Sequence, residues 1–331
     1  MPSIELSFAV GPNERTRPLI SGYVRAEGID LVTTVVDPSE IFWRQLRFGD
    51  FDVSEMSLSS FLIATARGDD RWVAIPVYTT RRFFHTWILV RQGAGINEPA
   101  DLRGKRVGVP EYQQTAAVWS RGILQQEFGV LPGEIEWFME RGPDKSHGRA
   151  TGFAPPRGVR INQIQSNKNI GDMLLSDELD ATLLYVRKDN LVDRSKADLD
   201  RSDRIRPLFT DVNAEKARYF LKTGIFPINH VVVMKRALYD RHPWIAINLY
   251  KAFLAAKRQA EADARVLFEA YLETGAVNAT DRTLLASDLA PYGLREARPV
   301  VETLIRYGRE QELLARDVAL EELFAPSTLD L

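Results

Sequence analysis

The stretch Phe51-Asp52-Val53-Ser54-Glu55-Met56-Ser57-Leu58-Ser59-Ser60-Phe61-Leu62-Ile63-Ala64-Thr65-Ala66-Arg67-Gly68 changes character halfway along. Phe51 to Met56 is short and reads as a β-strand. Leu58 to Arg67 reads as a helix, with Ser57 at its N-cap and Gly68 at its stop position. Upstream, Ile4–Val10 alternates apolar and polar residues until Gly11-Pro12-Asn13 breaks it. Gly28–Val36 is a second strand candidate, and Ile41–Phe48 has helical spacing. Downstream, Trp72–Tyr78 is another strand. Strands and helices that alternate in this way predict a mainly parallel sheet with helices on both faces.

The pattern then restarts. Phe83–Val90 reads as an extended apolar crossing, followed by a loop, Arg91–Ala100, and a new strand at Val107-Gly108-Val109. A helix is predicted from about Thr115 to Phe128, with Ala116, Trp119, Ile123 and Leu124 on one face and Gly129 at the C-cap. Arg141–Arg160 is rich in Gly and Pro and reads as a long surface loop. Ile170–Leu175 reads as a short helix, Leu179–Val186 as a strand and Ile225–Met234 as a second extended crossing. Pro243 opens the longest helix. Two crossings that bracket a block with its own βα pattern predict two lobes: residues 1–88 with 235–331, and an inserted lobe of residues 89–234. Ligands of open α/β sheets bind beyond the carboxyl ends of strands, so the site is expected in the cleft between the lobes.

Composition fits this and excludes several classes. A chain of 331 residues, 45% hydrophobic, is long for one simple core. Lys and Arg total 43 against 45 Asp and Glu, so no global field favours nucleic acid or an anionic membrane. An anion site must then come from local arginines. Cysteine is absent, which excludes disulfides and thiolate chemistry. No apolar run reaches the ~18–20 residues that span a bilayer. The opening MPSIELSFAVG reads as a strand and not as a signal peptide, so a cytoplasmic protein is expected.

Several segments carry a resemblance, in order and spacing. They are Arg15-Thr16-Arg17-Pro18-Leu19, Phe51 to Ser60, Ala74-Ile75-Pro76-Val77, Val109 to Trp119, Gly224-Ile225-Phe226-Pro227-Ile228-Asn229-His230-Val231-Val232-Val233, Tyr239 to Phe253 and Glu322 to Asp330. Together they make the chain similar to the 4,5-dihydroxyphthalate decarboxylase family, from near its first residue to its last. The resemblance implies a fold like that of type 2 periplasmic binding proteins: α/β, two-lobed, each lobe a mixed, mainly parallel sheet flanked by helices. It implies non-oxidative loss of one carboxylate from a hydroxylated aromatic acid, with no organic cofactor. The expected partner is a small aromatic carboxylate, with homo-oligomers a family tendency.

Such chemistry needs a proton donor at the carboxylate-bearing ring carbon, phenolate character para to it, and a clamp on the retained carboxylate. His85 and His230 are the first candidates for proton transfer, since each sits on one crossing and imidazole titrates near neutral pH. Either could instead be a buried neutral histidine holding the hinge. Metal ligation by both with Glu55 is a smaller possibility, because no ligand-spacing motif occurs. Glu55 is otherwise a candidate general base for the phenol, or a hydrogen-bonded strand-end carboxylate. Arg81, with Arg82 beside it, suits a retained carboxylate, and so does Arg15 after the first strand. Ser57 and Ser59 open a helix directly after a strand, where hydroxyls and free N–H groups hold anions or simply cap the helix. Gln113, Gln114 and Thr115 form the matching corner in the second lobe. Tyr112 could contact the ring or pack within its lobe. His147 and His242 read as structural or exposed.

The chain also departs from the family pattern. Phe84 stands where a basic residue is usual, Asn229 precedes the histidine in place of Met, and the strand ending Tyr185-Val186-Arg187 is atypical. These residues fall at expected cleft positions, so Phe84, Tyr185 and Asn229 are candidate substrate contacts, and an aromatic acid other than 4,5-dihydroxyphthalate stays open. The other reading is a cytoplasmic solute-binding protein that closes over its ligand without turnover.

Overall fold

The computed structural model describes residues 3–187, 189–278, 280 and 287–331. Eleven strands are present among them: β1 Ile4–Val10, β2 Ile29–Val35, β3 Val53–Ser57, β4 Trp72–Arg81, β5 Leu89–Arg91, β6 Arg106–Val109, β7 Glu136–Met139, β8 Arg160–Gln163, β9 Ala181–Thr182, β10 Ile205–Pro207 and β11 Ile228–Lys235. They form two sheets, ordered β2-β1-β3-β11-β4 and β10-β5-β9-β6-β7-β8. In the first, β1 runs parallel to β2 and β3, and β11 runs antiparallel to both β3 and β4. In the second, β6 to β9 are parallel, and β5 is antiparallel to β9 and β10. The architecture is two-lobed α/β with mixed sheets.

The helices are α1 Arg17–Ile20, α2 Pro38–Phe48, α3 Leu58–Ala66, α4 Thr115–Phe128, α5 His147–Thr151, α6 Ile170–Leu175, α7 Val212–Thr223, α8 Arg236–Arg241, α9 Trp244–Glu273, α10 Leu294–Glu310 and α11 Leu320–Leu323. All five residues of β3 are buried, because this strand lies inside its sheet with both faces covered. One continuous apolar core includes Phe8, Met56 and Phe253 of the first lobe and Val107, Trp119 and Trp137 of the second. Helix α10 reaches across to α4: the Trp119 and Tyr307 rings meet edge to face at 5.5 Å, and a Cβ on Gly122 would overlap the Tyr307 ring. Only glycine permits that approach.

Four expectations change. Ile225–Met234 is expected in the inserted lobe, yet β11 is laddered between β3 and β4 of the first sheet, so the chain returns before residue 235. Phe83–Val90 is not one extended crossing. Thr86 turns back on the Phe83 carbonyl through both its N–H (3.0 Å) and its hydroxyl (2.8 Å), which makes Phe84–Trp87 a 3₁₀ turn before the short β5. The strand expected over Leu179–Val186 is regular only at Ala181–Thr182. The Gly/Pro-rich segment from Arg141 is not all surface: it contains α5, in which His147, Gly148 and Thr151 are buried.

Candidate active site

The first lobe builds its side of the site around Glu55. Its Oε1 accepts hydrogen bonds from His230 Nδ1 (2.6 Å) and Thr79 Oγ1 (2.6 Å), and Oε2 accepts from the Gly11 backbone N–H (2.8 Å). The Thr80 hydroxyl lies 3.5 Å from Oε1. Neighbouring residues of a regular strand point to opposite faces, so Thr79 and Thr80 should not both reach one carboxylate. They do because the β4 register jumps against β11, from Thr80 opposite His230 to Ile75 opposite Val232. Pro76 lies in that jump; it brings no N–H to the ladder, which suits a bulge. Burial works to raise the Glu55 carboxyl, but the His230 charge and the hydrogen bonds from His230, Thr79 and Gly11 outweigh it and hold the group below its ordinary value.

His230 uses Nδ1 for Glu55, so Nε2 is its remaining nitrogen for the cleft. Its side chain is 17% exposed, against 2% for Glu55, so the histidine is the member of the pair that meets solvent or ligand. The Phe42 ring braces it edge-on at 4.7 Å.

The second lobe supplies Arg141 and His147. The Arg141 guanidinium is buried and held by Asp193 (2.8 Å) and the Ser39 hydroxyl (2.8 Å). Its Nη1 lies 3.4 Å from His147 Nε2. Arginine only donates, so that nitrogen must be the acceptor and the His147 proton sits on Nδ1, 3.1 Å from the Ser60 hydroxyl. Burial first, then the charges of Arg141 and His230, push the His147 imidazole well below its ordinary value. His147 is therefore a neutral hydrogen-bonding group. It is positioned by Glu111, which accepts from the Ser146 hydroxyl (2.7 Å) and the His147 N–H (3.1 Å). Burial pushes the Glu111 carboxyl up to about 6.

Between these walls lies a cleft of about 710 Å³. His230, Ser57, Thr80, Arg82 and Phe42 line it from the first lobe, Phe84 and Trp87 from the 3₁₀ turn, and Thr115, Arg141, His147, Tyr185 and Arg187 from the second. Arg82 lies over the Trp87 ring at 5.4 Å. Arg187 pairs with Asp198 at 2.6 Å. The two helix-opening corners touch: Ser57 Oγ meets Thr115 Oγ1 at 2.9 Å, the Ser59 N–H donates to Thr115 Oγ1 at 2.9 Å, and Ser59 Oγ donates to the Gln113 carbonyl at 2.6 Å.

Of the expected site residues, the structure gathers Glu55, His230, Ser57, Thr115, Phe84 and Tyr185 around this cleft. Ser59 and Gln113 instead form the lobe-to-lobe seam. His85 is not there. A 3₁₀ turn has three residues per revolution, so Phe84 and Trp87 share one side and His85 points elsewhere. It is fully buried, with Nε2 3.1 Å from Glu215 and its ring against Phe209 and Tyr219. The set His85, His230 and Glu55 therefore does not converge, and among the described residues no three His, Asp or Glu side chains form a metal-binding cluster. Tyr112 packs inside the second lobe, under the Arg121 guanidinium at 3.7 Å and against Trp137. Asn229 points away from His230 and donates to the Arg82 and Pro227 carbonyls. Arg15 and Arg81 line a neighbouring groove, not the cleft, while Arg82 borders both. Arg141 and His147 are the residues that sequence reasoning missed. The tether of His147, Glu111, lies 36 positions before it, and Asp193, which holds Arg141, lies 52 positions after that arginine, both beyond the reach of local spacing.

The fold and cleft define the class of two-lobed α/β proteins with a cleft between the lobes. Residues 13–151 match the family described as "ABC transporter, phosphonate, periplasmic substrate-binding protein". The periplasmic aliphatic sulphonate binding protein SsuA of Escherichia coli superposes with a TM-score of 0.54 at 12% identity, covering 99% of both chains. The desulfurization enzyme DSZB superposes with a TM-score of 0.51 at 15% identity, covering 98% of this chain and 97% of its own. These likenesses show the fold alone. Sequence goes further: the chain is 35% identical over 335 residues to 4,5-dihydroxyphthalate decarboxylase of Comamonas testosteroni, covering 100% of this chain and 99% of that one. A second 4,5-dihydroxyphthalate decarboxylase, from Pseudomonas putida, is 40% identical over 185 residues, covering 55% of this chain and 71% of that one. The chain belongs to the 4,5-dihydroxyphthalate decarboxylase family, and with it to the carboxy-lyases.

Proposed function

We propose that the protein decarboxylates a hydroxylated aromatic acid of the 4,5-dihydroxyphthalate type by protonating the ring at the carbon that carries the departing carboxylate. The observation that supports this most is the Glu55–His230 pair, set at the wall of a cleft whose opposite wall carries Arg141 and His147. In the protonated imidazole, Nδ1–H is held by Glu55 and Nε2–H is left for the ring carbon. A hydroxyl para to that carbon, ionised to phenolate, supplies the electron pair that takes the proton. The resulting dienone loses CO2, the C–C bonding pair returns to the ring, and aromaticity is restored. Net, the carboxylate and one proton become a ring C–H and CO2, and His230 regains its proton from water. Glu55 stabilises the charged imidazole before transfer, so it acts as an orienting group and not as the acid.

Arg82 and Arg141 suit the carboxylates from the two sides, and Phe84, Trp87 and Phe42 supply flat apolar surface for a ring. Arg82 takes this part in place of Arg81, since its guanidinium borders the cleft and stacks only on Trp87. The test is incubation with a panel of phthalates and hydroxybenzoates, followed by CO2 release and ultraviolet spectra. Release from a substrate with a para hydroxyl, and its loss in His230→Gln, is the expected result. A compound that raises the melting temperature but is never turned over, across the whole panel, would favour a solute-binding protein, the role of the SsuA-type neighbours.

A further inference from the structure

Beside the catalytic cleft lies a second concavity, a groove of about 840 Å³ that shares Pro12, Thr80, Arg82 and Trp87 with it. Its charge is one-sided. Arg15, Arg17, Arg81, Arg82 and Lys216 line it, and Glu14 is its one acid. Glu14 is already engaged with Arg17 at 2.8 Å. Among the described residues, no carboxylate lies at ion-pair distance from Arg15, Arg81 or Lys216.

Arg81 is the decisive residue. It is 8% exposed; its guanidinium donates to the Pro291 (2.9 Å) and Phe226 (3.3 Å) carbonyls and lies over the Tyr78 ring at 5.3 Å, and its buried Nε has no hydrogen-bond partner. Asp288, whose charge Arg81 feels, is held by Lys257. Arg15 points its Nη2 at the Thr79 carbonyl (2.6 Å). A buried cation without a counter-ion is costly, and neighbouring cations add to that cost. Burial, with Arg15 adding to it, pulls the Arg81 guanidinium down to about 10 against the opposing pull of Tyr78 and Asp288. The apolar part of the groove joins Ile20 and Val35 to an aromatic stretch, in which Phe83 and Phe226 stack at 4.9 Å and 18°. Cations beside flat rings suit a planar anion.

We propose that this groove is a second binding site for a small aromatic carboxylate, occupied independently of the catalytic cleft and joined to it past Arg82. The site would hold a waiting substrate or a departing product, since Thr80, Arg82 and Trp87 line both concavities. The proposal does not depend on turnover.

The test is a calorimetric titration of the full chain with benzene-1,2-dicarboxylate, which lacks the ring hydroxyl needed for decarboxylation. Two binding events per chain are expected. The double variant Arg15→Gln/Lys216→Gln weakens one of them at least tenfold, while Arg141→Gln weakens the other. Lys216→Glu alone, on a partly exposed helix position, repeats the first effect without touching β4. One event per chain, or two events that the groove variants leave in place, overturns the proposal. Inorganic phosphate is the second arm. It should compete for the groove at least tenfold more weakly than the aromatic diacid, and equal competition overturns the aromatic assignment. CO2 release is not the readout, so failure here leaves the decarboxylase reading standing.

Discussion

His230 Nδ1 lies 2.6 Å from Glu55 Oε1, and the carboxylate that holds it is itself anchored by the Thr79 hydroxyl and the Gly11 N–H. The imidazole is thereby fixed in orientation and in tautomer. His230→Gln should lower CO2 release by on the order of 10²- to 10⁴-fold. Substrate-induced thermal stabilisation should remain. Glu55→Gln should lower turnover while leaving affinity nearly intact. Wild-type turnover in either variant, measured on folded protein, would falsify the dyad.

Two of the buried carboxyls, Glu55 and Glu111, give opposite pH dependences. Glu55 is depressed in the fold, so its contribution to stability is complete above its unfolded value near 4.5 and is lost as pH falls through the lower folded one. Glu111 is raised to about 6, so its contribution is present below 4.5 and is lost as pH rises through 6. The whole effect for Glu111 is on the order of 2 kcal/mol. Urea-unfolding midpoints against pH should lose part of their fall between these two values in Glu111→Gln. In Glu55→Gln they should lose part of their fall at more acid pH. A Glu111→Gln profile parallel to wild type through that window counts against the raised carboxyl.

His85 is a structural residue in this arrangement. His85→Ala should cost about 1–3 kcal/mol by leaving a cavity and removing one partner of Glu215. Glu215 keeps Arg218 at 2.7 Å, which limits the damage. Turnover per folded molecule should stay near wild type. A loss of more than tenfold with unchanged melting would return His85 to the chemistry.

Gly11 is placed where no side chain fits. A Cβ there would lie 2.7 Å from Pro38 Cγ and 3.1 Å from Glu55 Oε2. Gly11→Ala should therefore destabilise the fold by about 1–3 kcal/mol. It should also lower turnover by displacing the donor to Glu55. A crystal structure of the variant with the N–H to Oε2 bond intact, together with full activity, would remove Gly11 from the support of the site.

Arg141→Lys keeps the charge but loses the planar fork that reaches Asp193 and Ser39 together. KM should rise about tenfold or more, with a smaller change in kcat. An unchanged KM would move the carboxylate clamp elsewhere, with Arg82 and Arg187 next in line.

Much of this was legible in the chain because the information is local. Strand Val53–Ser57 followed by helix Leu58–Ala66 is written in adjacent residues, and so is the long helix after Pro243. The two ordered crossings also predicted two lobes. Local reading failed where partners are far apart. Nothing near His147 announces that Glu111 draws it inside. Nothing near Phe83–Val90 says that Thr86 will double back on Phe83. The strand Ile228–Lys235 shows its apolar character, but which sheet receives it is a long-range decision made by Ser54–Ser57 and Val73–Ile75.

That turn at Phe84–Trp87 has a consequence for how this cleft responds to a change in chain length. Each residue advances a 3₁₀ coil by about 120°. Inserting or deleting one residue there would rotate His85 out of its place beside Glu215 and send a different side chain to face the bound ring. On the proposed mechanism, selectivity for the ligand's substituents would be exposed to a length change in four residues, while the Glu55–His230 pair on β3 and β11 is carried by a sheet that such a change does not touch.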